Sequence, residues 1–384
     1  MTATAFLVTA GVSLFVSVLL VATQRWHGRF SMDGTAGVQK AHTVPTPRIG
    51  GTAIVAGMAA AWAWAEPEVQ TLLAPLLLAS VPAFAAGLLE DLTKKVGVTA
   101  RLLATMVSGL VACWLTGVAL NRVDVWLADD LLAYAPAAVL FTAFAAAGVA
   151  NAINIIDGFN GLASGTVLII LLALASIAGL EGDAALATAC ALLGAAVLGF
   201  WLVNFPFGKL FLGDGGAYFV GFALAWLCVL LLMRNPAVSP WVVLLACAYP
   251  VTEVLYSMWR RRRQRQPSGA PDSLHLHSLL KSQVILPRLP HWPASMRNAA
   301  VSPLVWLYAA GPATLAVWLA QAPVPAAGAA LAASVLAYHV VYQQLLLRSK
   351  HHPHALRHPR EVGDPSPGLT SSVIPSQAGI HPPA

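Results

Sequence analysis

The chain has 384 residues, 58% of them hydrophobic and only 10% charged, where a water-soluble domain carries about a quarter charged residues. A mean hydropathy of +0.71 excludes a string of separate soluble domains and leaves a polytopic membrane protein. The net charge of +6 does not point to nucleic acid, because the basic residues sit between apolar runs rather than on one soluble face.

A helix needs on the order of 20 apolar residues to cross a bilayer core, since every backbone amide must be bonded within the segment. Such runs occur at 5–23, 50–64, 72–89, 102–120, 131–150, 162–179, 184–203, 217–233, 241–259, 304–320 and 326–347. The first lacks the basic flank and cleavage site of a signal peptide and counts as a span. The second is short and the last begins beside Pro323 and Pro325, so the count is ten or eleven. The predicted fold is an all-α, polytopic transmembrane bundle of about 11 helices.

With the N-terminus outside, 20 of the 22 Lys and Arg residues fall on inward segments, and only Arg122 and Arg234 lie outward. The outward loops hold Glu66, Glu68, Asp124, Asp129, Asp130, Glu181 and Asp183. Positive charge is retained on the cytoplasmic side, so the predicted membrane domain, 1–347, has cytoplasmic loops at 25–49, 90–101, 151–161, 204–216 and 260–301. The remainder, 348–384, carries His351, His352, His354 and His358 among prolines and serines and reads as a disordered, solvated cytoplasmic tail. Cys113, Cys190, Cys228 and Cys247 each lie in an apolar run without metal-ligand spacing and read as packing residues. His339, in the middle of the last run, reads as a packed core histidine, and Arg260 to Arg263 as a charged stop that pins a helix end.

Every unusual polar motif falls on the inward side. The first loop contains Lys40-Ala-His42-Thr-Val-Pro45-Thr-Pro47-Arg48-Ile-Gly50-Gly51, the second Glu90-Asp91-Leu-Thr-Lys94-Lys95, and the third Asn151-Ala-Ile-Asn154-Ile-Ile-Asp157-Gly158-Phe-Asn160-Gly161. The fourth contains Lys209-Leu-Phe-Leu-Gly213-Asp214-Gly215-Gly216, and the fifth His275-Leu-His277-Ser278. Glu90, Asp91, Asp157 and Asp214 stand at the ends of apolar helices, where an unpaired charge is costly and a cation is called for. Hard oxygen ligands at i,i+3, Asn154 and Asp157, suit Mg²⁺ or alternatively Mn²⁺ held together with a phosphate. The glycines allow close backbone approach to a diphosphate, and Arg48, Lys94, Lys95, Lys209 and the Arg260 run supply positive charge. Glu253, about two turns inside its span, reads as part of the same site.

Taken in order, these five motifs resemble the polyprenyl-phosphate N-acetylhexosamine-1-phosphate transferases of glycosyltransferase family 4, of the WecA and TagO type and more distantly the MraY type; the resemblance runs from about Lys40 to about Leu280. It implies transfer of an N-acetylhexosamine 1-phosphate from a UDP-sugar to undecaprenyl phosphate, with release of UMP, at the cytoplasmic face of the bacterial inner membrane. The lipid-linked product would initiate a cell-surface polysaccharide such as O-antigen. By the same resemblance Asn154, Asp157 and Asp214 form the Mg²⁺ and diphosphate shell, and Asp91 with Glu90 lies near the lipid phosphate as base or orienter. His275 and His277 engage the diphosphate or sugar, and Asn160 sits at the nucleotide base. Lys40, His42, Arg48, Lys94, Lys95, Asn151, Lys209 and Glu253 complete the substrate contacts. The implied partners are the UDP-N-acetylhexosamine, undecaprenyl phosphate and membrane lipid, with no nucleic acid; a homodimer is left open. The sequence departs from the family where Glu90 and Asn160 replace Asp, Ala217 replaces Ser and Ser278 replaces His. A short histidine loop favours a simple N-acetylhexosamine over the MraY-type substrate. Two other readings compete: a catalytically degenerate scaffold of the same family, and a lipid or solute transporter, which would need polar residues near the bilayer midplane.

Overall fold

The computed structural model describes residues 3–33, 45–265 and 274–351. Lys40, His42 and all but the start of the expected tail, from residue 352 on, lie outside the described residues. Helix α1 (Ala3–Ala22) leads to α2 (Gln24–Ser31) and a short strand β1 (Met32–Asp33) at the basic end of the bundle. That strand pairs antiparallel with β2 (Thr46–Pro47), Met32 opposite Pro47 and Asp33 opposite Thr46. There follow α3 (Gly51–Trp64), α4 (Pro67–Thr93), α5 (Val98–Thr116), α6 (Trp126–Leu132), α7 (Ala135–Ile156), α8 (Leu162–Leu180), α9 (Ala184–Asn204) and α10 (Gly213–Arg234). The chain continues through α11 (Pro240–Ala246), α12 (Ala248–Arg263), α13 (Leu276–Leu280), a π-helical turn (Lys281–Ile285), α14 (Leu286–Arg288), α15 (Ala294–Ala299), α16 (Val301–Trp318) and α17 (Val324–His351).

Nine of the described helices are long and apolar enough to cross a membrane, so the protein is a multi-pass, all-α membrane bundle. The eleven expected spans are reached only by adding α3, of 14 residues, and by taking α11 and α12 as one span bent by 82°. Pro250 explains the break: its ring displaces the carbonyl four residues earlier, on Ala246, where α11 ends.

At the centre stands α10, 89% buried along its apolar window and packed on α3, α4, α5, α7, α8 and α9. Lipid tails give helices no hydrophobic reason to associate, so close approach and internal polar contacts do the work. Gly221 of α10 lies against Ala150 of α7, and Gly109 of α5 against Ala143. The buried Ser13 of α1 donates to the carbonyl of Ala196 on α9 at 2.6 Å. At the acidic end the two outlying basic residues are tied down: Arg122 donates to the carbonyls of Pro236 and Val238, each at 2.8 Å, and Arg234 forms a bidentate pair with Asp183 at 2.6 and 2.9 Å.

Several helices run further into polar sequence than hydropathy suggests. Helix α4 continues past 89 through Glu90 and Asp91, α7 past 150 through Asn151 and Asn154, and α10 begins at Gly213 rather than 217. Each extension carries side chains that find partners on a neighbouring helix, which removes the desolvation cost that would otherwise end the helix. His339 is half-exposed rather than packed in the core; its Nδ1 lies 3.0 Å from the Tyr256 hydroxyl on the wall of an apolar groove between α12 and α17.

Candidate active site

The basic end of α10 organises a cluster of buried acids. The fully buried carboxylate of Asp91, in the last turn of α4, accepts from the amides of Asp214 at 2.9 Å and Gly215 at 2.8 Å. It thereby satisfies first-turn donors of α10 and faces the positive end of that helix dipole. Arg48 arrives on the segment after β2, which is laced to the turn before α10: Phe211 donates to Pro47 O at 2.8 Å, Gly50 to Phe211 O at 2.9 Å, and Gly51 to Leu212 O at 3.0 Å. Gly213 has φ +74°, and the Arg48 carbonyl occupies the space its Cβ would need, so only glycine allows this lacing. The Arg48 guanidinium then lies 3.0 Å from Asp91 Oδ1 and 3.5 Å from Asp214 Oδ2.

Asp214 is the hub. Arg101, in the first turn of α5, pairs with its Oδ2 and lies 5.5 Å over the Tyr218 ring, while Asn154 of α7 donates to its Oδ1 at 2.7 Å. One turn away, Asn151 accepts a long 3.5 Å contact from the Tyr218 hydroxyl. Asp157 follows directly after α7 and accepts from the Gly213 amide. Burial pushes its carboxyl up to about 7; Asp214 and Asp91 add to the rise and Arg48 opposes it. Three acids, Asp91, Asp157 and Asp214, thus face two guanidiniums, Arg48 and Arg101.

Among the described residues no three carboxylate, imidazole or thiol groups form a ready metal cage. Asp157, Asp214 and the Asn154 amide nevertheless provide hard oxygen donors, and the surplus negative charge around the half-buried Asp157 is what a divalent cation relieves. The residues fit Mg²⁺ with phosphate and water oxygens completing its shell.

A second arm comes from the histidine loop. Glu253 is 1% exposed on α12; its Oε1 lies 2.9 Å from His275 Nδ1 and accepts from the Leu276 amide at 3.2 Å, and its Oε2 accepts from the Tyr338 hydroxyl of α17 at 2.9 Å. A carboxylate only accepts, which places the hydrogen of His275 on Nδ1. The Tyr342 hydroxyl donates to Leu274 O at 2.9 Å, so α17 holds the start of the loop directly there and, by way of Glu253, at His275 and Leu276. The rings of His275 and His277 stack at 5.2 Å, and His277 meets Phe159 edge-on at 5.2 Å. Its Nε2 lies 3.8 Å from the position a Cβ on Gly158 would take, beside Asp157.

Asp91, Asp157, Asp214, Asn151, Asn154, Arg48, His275, His277 and Glu253 therefore gather around the basic end as the sequence predicts. Others do not join them. Glu90 accepts from the Val96 amide at 2.7 Å and ties the α4–α5 turn. Lys94 donates to Asp91 O at 2.7 Å, Lys95 is exposed, and exposed Lys209 sits 5.7 Å over Phe207. Asn160 is 4% exposed and committed to structure: its amide group donates to Pro206 O at 2.9 Å and Ser295 O at 3.4 Å, and its backbone carbonyl accepts from Ser302 at 2.6 Å. An Asp there could not donate to those carbonyls, so the amide suits this packing. Sequence reasoning missed Arg101 and Tyr218. The available signal was a lone basic residue in the first turn of an apolar run, beside the loop of Lys94 and Lys95.

Residues 73–232 match glycosyl transferase family 4, a segment that holds Asp91, Asn154, Asp157 and Asp214 but neither Arg48 nor the histidine loop. The chain is 28% identical over 247 residues, 63% of its own length and 67% of the relative's, to a probable undecaprenyl-phosphate N-acetylglucosaminyl 1-phosphate transferase of Bacillus subtilis (strain 168). It is 24% identical over 272 residues, 70% of this chain and 74% of the other, to the undecaprenyl-phosphate alpha-N-acetylglucosaminyl 1-phosphate transferase of Escherichia coli O157:H7. The Salmonella typhi protein of the same description is 25% identical over the same spans.

Proposed function

We propose that the chain is a transferase of the glycosyl transferase family 4 kind, the family whose model matches residues 73–232, and that it transfers an N-acetylhexosamine 1-phosphate from a UDP-sugar to undecaprenyl phosphate, as the names of its relatives suggest. The lipid phosphate oxygen attacks the sugar-bearing phosphorus, a new P–O bond forms, the bond to the bridging oxygen breaks, and UMP leaves with that oxygen. The observation that carries the proposal is the buried centre of Asp91, Asp157 and Asp214 crossed by Arg48 and Arg101 at one end of a membrane bundle. Such a centre suits a phosphate headgroup whose lipid tail lies among the helices.

Phosphoryl transfer is driven by positioning and charge neutralisation. Asn154, Asp157 and Asp214 would hold Mg²⁺ or Mn²⁺, which when bound supplies charge neutralisation to the diphosphate. Asp91 acts as a positioning residue, because its oxygens are engaged by two α10 amides and Arg48. A lipid phosphate is already an anion and needs no base. Arg48 and Arg101 set the orientation of Asp214, and Glu253 sets that of His275, next to His277 at the Asp157 loop. The basic end faces the cytoplasm of a bacterial inner membrane, where UDP-sugars are found, and the product starts a surface polysaccharide. The test is UMP release by purified protein with undecaprenyl phosphate, Mg²⁺ and a panel of UDP-sugars. Release that requires lipid, metal and one sugar supports the proposal; no release with any donor from a folded, monodisperse sample overturns it.

A further inference from the structure

Two cations beside the acidic centre have no role in the site so far. Lys281 opens the π-helical turn after the histidine loop, and α15, which carries Arg297, packs directly against that turn. The same α15 is tied to the Asp157 loop, since the Asn160 amide donates to Asn298 Oδ1 at 3.3 Å. Lys281 is half-buried with its ammonium 5.3 Å over the Phe159 ring, two residues after Asp157, and the same ring meets His277.

Like charges do not gather without a reason. Among the described residues neither Lys281 nor Arg297 forms an ion pair with a carboxylate, and Arg297 Nε is buried without a hydrogen-bond partner. An aromatic face is worth only about 0.5–2 kcal/mol to a cation, and an unsatisfied buried donor costs about 1–3 kcal/mol. Burial, with Arg297 alongside, pushes the Lys281 ammonium down to about 8. The turn itself is of a rare type that is frequent at functional sites.

We propose that Lys281 and Arg297 form a phosphate-binding wall across from the acid cluster, with Phe159 as its floor. A guanidinium fork beside a point-charge ammonium suits the several oxygens of a phosphate better than a single carboxylate. The phosphate would supply the missing acceptor for Arg297 Nε and the missing counter-charge for Lys281, and would span from the wall toward Asp157. This deepens the transferase reading and rests on it for the source of the phosphate, which belongs either to the nucleotide sugar or to the lipid.

The experiment is binding rather than turnover. Purified full-length protein in detergent with EDTA is titrated with UDP and, separately, with undecaprenyl phosphate, as wild type, Lys281→Gln, Arg297→Gln and Arg297→Lys. The expected result is a loss of about tenfold in affinity for one of the two ligands in each Gln variant, the loss of one charge-assisted bond, with partial recovery in Arg297→Lys. A loss confined to UDP assigns the wall to the donor, and one confined to undecaprenyl phosphate assigns it to the acceptor. Wild-type affinity for both ligands in variants of unchanged melting temperature overturns the wall. If a Gln variant loses its fold, Arg297→Lys decides: reduced affinity for one ligand in a folded sample supports the wall, and wild-type affinity for both overturns it. Wild-type UMP release is measured alongside. Release together with unaffected variants removes the wall alone, whereas no release together with weakened variants removes the transferase reading and leaves the wall.

Discussion

Asp157→Asn should make the metal-free protein more stable while abolishing UMP release. The side chain is half-buried next to two other acids and its carboxyl is pushed from 3.8 up to about 7. An ionisation displaced by about three pH units corresponds to roughly 4 kcal/mol, taken as an upper bound. Below about pH 4 the carboxyl is protonated in both folded and unfolded chains, and the cost is absent. As pH rises from about 4 to about 7 the unfolded chain ionises readily while the folded site resists, so the folded state loses stability, and above 7 the loss is complete. Asparagine keeps an acceptor for the Gly213 amide and carries no charge. In EDTA at pH 8 the variant should therefore melt higher than wild type, by roughly 5–10 °C on the usual conversion, and the gap should close toward pH 5. Mg²⁺ at about 100 times its Kd should stabilise wild type by about 2.7 kcal/mol and the variant far less. Thermal unfolding in detergent across pH, with and without Mg²⁺, reads all of this. A variant that melts at or below wild type at pH 8, or a gap that does not narrow on acidification, would refute the electrostatic account.

Arg101→Ala removes one of the two guanidiniums paired with Asp214 and leaves it Arg48 and the Asn154 amide, so thermal unfolding should show a loss of about 1.5–3 kcal/mol. Tyr338→Phe deletes the hydroxyl that donates to Glu253 and should cost about 1–3 kcal/mol; steady-state kinetics should show a lower kcat, as the histidine loop loses an anchor. Gly87→Ala would put a Cβ 2.6 Å from the Asp214 carbonyl carbon, where the α4–α10 contact has no room. The expected penalty is about 1–3 kcal/mol of stability, with weaker Mg²⁺ binding by calorimetry. Asn160→Asp should destabilise by about 1–3 kcal/mol, because two backbone carbonyls lose their donor, with little change in the apparent KM for the UDP-sugar.

The bundle and its acid motifs are legible in the sequence for different reasons. Apolar runs locate spans because a bilayer demands them, and Asn154 and Asp157 announce themselves because polar groups at such helix ends require a partner. Helix limits are less legible: hydropathy stops where polarity begins, yet α4 carries Asp91 in its final turn because α10 supplies the amides it accepts from. Asn160 looks like a site residue by its place in the motif, but its donors go to carbonyls about 46 and 135 residues away in the chain, and no local pattern encodes that. Lys281 is illegible for the same reason, since its significance lies in which groups it faces, and Arg101 leaves only the faint mark of a lone basic residue in the first turn of an apolar run. The bend in the α11–α12 span did leave a mark, Pro250 within an otherwise apolar run.

The central position of α10 has a bearing on how the molecule is made. Almost everything it packs against, α3, α4, α5, α7, α8 and α9, precedes it in the chain, and a chain emerges from the ribosome N-terminal end first. The helices that bear Asp91, Arg101 and Asn154, and Asp157 directly after α7, are therefore all made before α10. Only with α10 do Asp214 and the first-turn amides that pair with Asp91, Arg101 and Asn154 become available. Completion of the acid cluster thus waits on α10, and a lesion in its glycine-rich first turn should yield chains that insert normally yet are handed to membrane quality control.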